Sequence, residues 1–157
     1  MVQYPIHGSK WFDVREYVDA KTFNALGVKA AWLVDPRIVR VCDLIREKSG
    51  LPVTLNNWHF RKPGQSLYDS SGFRAVWDNT GGKLSQHRCG RAADVKVQGW
   101  TPAQTQKLIL DNKDEFMAAG LTTMENIAFT PTWLHVDCRP ILVGVTPDDG
   151  FLVVDPV

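Results

Sequence analysis

Two short stretches alternate so regularly that a sheet is the natural home for both. In Ala92-Ala93-Asp94-Val95-Lys96-Val97, residues Ala93, Val95 and Val97 form an apolar side and leave Asp94 and Lys96 on the other. In Trp133-Leu134-His135-Val136-Asp137-Cys138, Leu134, Val136 and Cys138 form the apolar side, with His135 and Asp137 opposite. If these strands are neighbours, Asp94 and His135 project from one polar face. His87 can then swing in from the loop before the first strand, with Gly90 permitting the turn.

The rest of the chain reads as helices around a small sheet. Asp35-Pro36 supplies an N-cap followed by proline at the first helical position, and Ile38, Val41, Cys42 and Ile45 recur at helical spacing up to Gly50. Ser9 is the expected cap of a shorter helix in which Trp11, Val14 and Val18 share a face. Thr101-Pro102-Ala103-Gln104 reads as a capping box opening one long helix through Leu108, Ile109, Phe116 and Met117. Further strands are expected over Leu51–Leu55 and Asn126–Phe129, with an edge strand over Phe151–Val154. Asn56 to Lys83 is rich in Asn, Gly, Ser and Pro, and so long a connection in a compact domain points to a functional loop. The expectation is an α+β fold, a small antiparallel sheet flanked by helices, in a single domain over 1–157.

Composition narrows the function classes. With 157 residues, 44% hydrophobic and 22% charged, the chain is sized for one core. A formal net charge of +1 gives no reason to expect nucleic acid as a partner. No apolar run is long enough to span a bilayer, so no transmembrane segment is expected. Met1 to Gly8 lacks a basic segment followed by an apolar one, so no secretory signal is expected and synthesis falls in the cytoplasm. Three cysteines, Cys42, Cys89 and Cys138, are an odd number without paired spacing, which argues against a disulfide scaffold or a cysteine zinc knuckle. A monomer is the simplest assembly.

Two imidazoles and one carboxylate, His87, Asp94 and His135, are donors suited to Zn²⁺, and three protein ligands leave a fourth position open. Spacing alone does not separate that reading from a loop histidine, a surface aspartate and a core histidine. Ser85-x-His87-x2-Gly90-x-Ala92-x-Asp94, followed by Trp133-Leu134-His135-Val136-Asp137, resembles the paired signature of the zinc D-Ala-D-Ala carboxypeptidase family. That family includes phage L-alanyl-D-glutamate endolysins and the D-alanyl-D-alanine dipeptidases of vancomycin resistance. The similarity runs from about Leu51 to Arg139. It implies zinc on the open face of the sheet, held by His87, Asp94 and His135, and cleavage of peptide bonds in peptidoglycan stems. Ser71-Gly72-Phe73-Arg74 resembles the family's Ser-Gly-Tyr-Arg motif, which implies that Arg74 approaches substrate and steadies an oxyanion. Ser85 is either a donor near the metal and substrate or a turn cap.

Many relatives carry Glu or Asp three residues before the last histidine as general base; here that residue is Thr132. Asp137, on the face of His135, is the first candidate to replace it, though a carboxylate there could instead orient the histidine. Glu125 is the second. His59 reads as a loop or structural histidine, His7 as a plain terminal residue, and Cys89 as no ligand. Trp58, Trp77 and Trp133 are candidates to line a groove, whereas Trp11, Trp32 and Trp100 are expected in the core. The leading expectation is a phage endolysin that acts at the cell wall or periplasm. A non-catalytic, zinc-stabilised structural or wall-binding module of a virion and a cytosolic dipeptide hydrolase are the alternatives.

Overall fold

The computed structural model describes residues 2–141 and 150–156. Its elements run α1 (Val14–Tyr17), α2 (Ala20–Leu26), α3 (Pro36–Ser49), β1 (Val53–Thr54), β2 (Ala92–Val97), α4 (Pro102–Asp111), α5 (Lys113–Ala119), β3 (Thr123–Glu125), β4 (Leu134–Asp137) and β5 (Leu152–Val154). The fold is α+β, with one five-stranded sheet in the order β1-β2-β4-β3-β5. The two alternating segments are indeed neighbours: β2 and β4 run antiparallel, with Asp94 directly opposite His135 and Ala93 opposite Val136.

The sheet is mixed rather than wholly antiparallel. β5 pairs with β3, not with β4, and runs in the same direction, so Thr123 faces Leu152 and Glu125 faces Val154. One face of the sheet is covered by helices: α3 lies on β1 and β2, and α4 touches β4. Ile38, Val41, Cys42 and Ile45 of α3 are buried there with Ala93, Val95, Leu134 and Val136. The apolar faces of β2 and β4 thus meet the apolar faces of helices, which leaves Asp94, His135 and Asp137 on the opposite face. Among the described residues, no helix is long and apolar enough to cross a membrane.

Several local expectations are corrected, each by side-chain chemistry that apolar spacing misses. Ser9 does not cap a helix; its Oγ accepts from the Trp11 and Phe12 amides and donates to Asp43. Asp13 caps α1 instead, in a reciprocal box with Glu16. The long helix after Thr101 breaks at Asn112, whose side-chain amide donates to the Leu108 carbonyl and so competes with the helix ladder. The strand expected over Asn126–Phe129 lies earlier, at Thr123–Glu125, because Asn126 makes a turn in which its side chain accepts from the Ala128 amide. Trp32, 79% exposed, and Trp11, stacked beneath Arg46, lie outside the core, while Trp100 packs against it.

The first fifty residues buttress the long loop. The Phe73 amide donates to the Tyr17 carbonyl, the Asn56 amide to Glu16, and the Trp58 indole to Val18. Gly72 lies so close to this wall that a Cβ there would stand 2.3 Å from the Tyr17 carbonyl oxygen. Gly90, at φ 69°, sits against Leu33 just as closely, so neither turn tolerates a side chain. His7 is no plain terminal residue: it adopts φ 46° and bonds through Nε2 to the Val34 carbonyl.

Candidate metal centre

Asp94 and His135 come from adjacent strands, and their direct pairing across the β2–β4 ladder sets their side chains together. His87 arrives on a 3-10 turn, Gln86–Cys89, whose N-cap Ser85 accepts from the His87 amide. Ser85 therefore caps the turn that carries a donor, and it also lines the groove beside it. The result is a buried group of three donors able to hold a metal ion: His87, Asp94 and His135.

The geometry is unusually exacting about protons. His87 Nδ1 lies 2.7 Å from the Gly72 carbonyl oxygen, which only accepts, so Nδ1 carries the hydrogen and Nε2 offers its lone pair. His135 Nε2 lies 3.1 Å from Asp137 Oδ2, so the other nitrogen, Nδ1, is the one turned inward. His87 Nε2, His135 Nδ1 and Asp94 Oδ1 then form a triangle with sides of 3.0, 3.1 and 3.2 Å. Three lone-pair donors at that range repel one another unless a cation sits among them, either a proton or a metal ion.

Electrostatics agree with that description. Burial pushes the His87 pKa down, keeping that ring neutral. Burial would do the same to His135, but the carboxylates of Asp137 and Asp94 overcome it and raise the pKa to about 9. Burial opposes ionisation of Asp94, yet the two imidazoles hold its carboxyl well below the usual range. Without metal, one proton held by His135 therefore fills the centre.

A groove of about 530 Å³ opens over the three donors, lined also by Arg74, Glu125, Trp133 and Arg139. Arg74 donates from Nη2 to Asp94 Oδ2 at 2.9 Å and from Nε to the Ser70 carbonyl at 2.7 Å. It thus reaches the groove and also holds a donor carboxylate in place. Asp137 does not line the groove. It is fully buried behind His135, on the ring nitrogen away from the centre, and is gripped by Arg139 at 2.6 and 2.9 Å. That position suits Asp137 to orienting His135 rather than to taking a proton in the groove. Among the described residues, Glu125 is the carboxylate besides Asp94 that lines the groove, while Thr132 is exposed and lines neither pocket beside the donors.

Of the remaining candidates, Trp133 lines the groove, whereas Trp58 is tied to Val18 and Trp77 stacks with Lys21. His59 is wedged edge-on between Trp58 and Phe60, and Cys89 is exposed away from the donors. Sequence reading missed Arg139, which follows Asp137 by two residues, just past the end of β4. It also missed Arg88, which donates to the carbonyls of Ala75, Asp78 and Gly82 and so fixes the loop over the groove. No protein-family model, curated protein or solved structure matches the chain.

Proposed function

We propose that the chain is a zinc-dependent peptidase acting on the peptide stems of bacterial peptidoglycan. The observation that carries the hydrolytic part is the convergence of three lone pairs on the floor of an open groove that also holds Glu125 and Arg74. Two imidazoles and a carboxylate suit Zn²⁺, and ligands about 2.0–2.1 Å from a tetrahedral zinc stand roughly 3.3 Å apart, close to the observed triangle. A structural zinc site is normally closed by four protein ligands, whereas among the described residues this one offers three beneath a groove. Peptidoglycan as substrate rests on the motif resemblance alone, carried by Ser85, His87, Gly90, Ala92, Asp94 and His135.

When bound, zinc would polarise a scissile carbonyl and acidify water. The chain's own residues do the rest. Glu125 accepts a proton from the attacking water and returns it to the leaving amine. Arg74 offers a planar cation to the charge that develops on the carbonyl oxygen. Asp137 and Arg139 keep His135 turned so that Nδ1 faces the centre, as the Gly72 carbonyl does for His87 Nε2.

The test is turbidity of permeabilised Gram-negative cells exposed to the protein, to chelator-treated protein, and to the same protein after zinc is restored. Lysis lost with chelator and regained with zinc supports the peptidase. Zinc binding without lysis replaces it with a zinc-stabilised wall-binding or virion module. Glu125→Gln should retain zinc and lose rate by about 10²-fold or more, the ordinary contribution of a positioned base.

A further inference from the structure

The metal groove does not end at Arg74. On its far side lies a second pocket of about 270 Å³, which shares Arg74, Thr80, Asp94 and Trp133 with the first. A ligand that spans both crosses the wall they share, where Asp94 is the one metal donor common to the two. Lys96 lines this second pocket, two residues along β2 from Asp94 and on the same strand side.

Lys96 is a half-buried ammonium that makes no ion pair among the described residues. Its Nζ donates to Ser71 Oγ at 3.0 Å and to the Asp94 carbonyl at 3.2 Å, and stands 4.3 Å from the centre of the Tyr68 ring. Among the described residues, no carboxylate oxygen lies within ion-pair distance of it. Two neutral acceptors and a ring face give the charge no direct ion pair, the Asp94 carboxylate supporting it at longer range, and leave one of three N–H groups unused. The nearest carboxylate is already committed: Asp94 Oδ1 faces the two imidazoles and Oδ2 the Arg74 guanidinium. Asp69, the other acid lining the pocket, is exposed at its rim and accepts from Ser70 Oγ at 3.3 Å.

We propose that this second pocket is a carboxylate-binding subsite, in which Lys96 grips an acid group of the peptide beside the bond that is cut. Lys96 thereby determines specificity rather than taking part in bond cleavage. The inference rests on the peptidase reading for the identity of the ligand as a peptide. The ammonium and its single free N–H match a singly charged carboxylate, either a chain terminus or an acidic side chain.

Four peptides separate these sources by calorimetry on the zinc-loaded protein. N-acetyl-D-alanyl-D-alanine and its carboxamide differ only at the terminus. N-acetyl-L-alanyl-D-glutamic acid α-amide and the matching D-glutamine peptide differ only in the side chain. One acid should bind about ten- to a hundredfold more tightly than its amide, the usual worth of a charge-assisted hydrogen bond. Lys96→Met should erase that preference while zinc content stays at one per chain, and Lys96→Arg should keep most of it. Absence of acid preference in both pairs, including absence of measurable binding, overturns the subsite, as does a preference that survives Lys96→Met. Lysis of cells without acid preference sinks the subsite and spares the peptidase. Acid preference without lysis does the reverse.

Discussion

The two sides of the metal centre are built by different means. Asp94 and His135 stand on paired strands, and the backbone ladder that sets them opposite each other also ties them to the apolar core on the other face. His87 and Arg74 stand outside the strands, held by scattered interactions rather than a ladder: Ser85 capping the turn, the Gly72 carbonyl on the imidazole, the Ser70 carbonyl and Asp94 on the guanidinium. A strand donor is placed by regular periodicity. A loop donor is placed by close packing against the first fifty residues, above all where Gly72 and Gly90 meet Tyr17 and Leu33. The strand side should therefore be stiff, and the loop side sensitive to contacts distant in sequence.

The largest effect should come from removing a donor. His87→Ala is expected to weaken zinc binding roughly 10³-fold or more, read by competition with a chromophoric chelator. Asp94→Asn should do the same and additionally loosen Arg74, which loses its charged partner at 2.9 Å. Equal zinc affinity in His87→Ala would mean that the loop side contributes no donor, and the comparison would collapse to a two-strand site.

The next effect concerns protons and distinguishes the sides by sign. In the metal-free protein His135 is raised from 6.5 to about 9, so the folded chain keeps a proton that the unfolded chain releases. That stability is fully present below about pH 6.5 and is lost as pH rises through 9, a change of about 3 kcal/mol. His87 is shifted the other way by burial, so its contribution is lost as pH falls through the ordinary histidine range. Chelator-treated protein should accordingly lose stability in denaturant melts between pH 7 and 9.5, whereas zinc-loaded protein, in which the metal replaces that proton, should not. Parallel curves with and without zinc would sink the assignment of the proton to the centre.

The strand side was legible in the sequence because period-two alternation names a face, and one face was apolar. Asp94, His135 and Asp137 were all placed on the right side of the sheet by that rule alone. The place of Asp137 behind the His135 ring was not legible, because alternation gives a face but not which nitrogen of His135 looks inward. The loop side was visible only through its resemblance to a family motif, since Arg74 and His87 have no periodicity to read. β5 was located but not its direction, because a single short apolar run carries no information about which strand it joins. The break at Asn112 and the turn at Asn126 were missed for one reason: both depend on side-chain amides bonding to nearby backbone, which apolar spacing does not register.

A smaller effect tests orientation. Asp137→Asn should weaken zinc binding by about 10–100-fold, because a neutral amide holds the His135 ring less firmly and makes it a poorer donor. The same variant should leave the buried core otherwise intact, since Arg139 can still bond the remaining oxygen. If Asp137→Asn instead keeps zinc at full affinity and loses hydrolysis, the carboxylate behind His135 is the proton acceptor and Glu125 is not. That outcome would move the chemistry from the groove wall to the strand side.

The smallest expected effect falls on a residue that sequence makes tempting. Cys89 lies between His87 and Asp94 in the chain, and a thiolate is a strong zinc ligand. The 3-10 turn nevertheless sends the two side chains apart: His87 is buried in the centre, whereas Cys89 is exposed and outside the donor group. Two residues later in the turn is more than half a revolution away, so a thiol at 89 cannot share the imidazole's direction without unwinding Gln86–Cys89. Cys89→Ser should therefore change stability by no more than about 0.5 kcal/mol, as for an exposed site, and leave zinc affinity where it was. A drop in affinity as large as that of His87→Ala would show that the loop refolds around metal and recruits the thiol. The loop side would then be shaped by the ion it binds, and the strand side alone would be preformed.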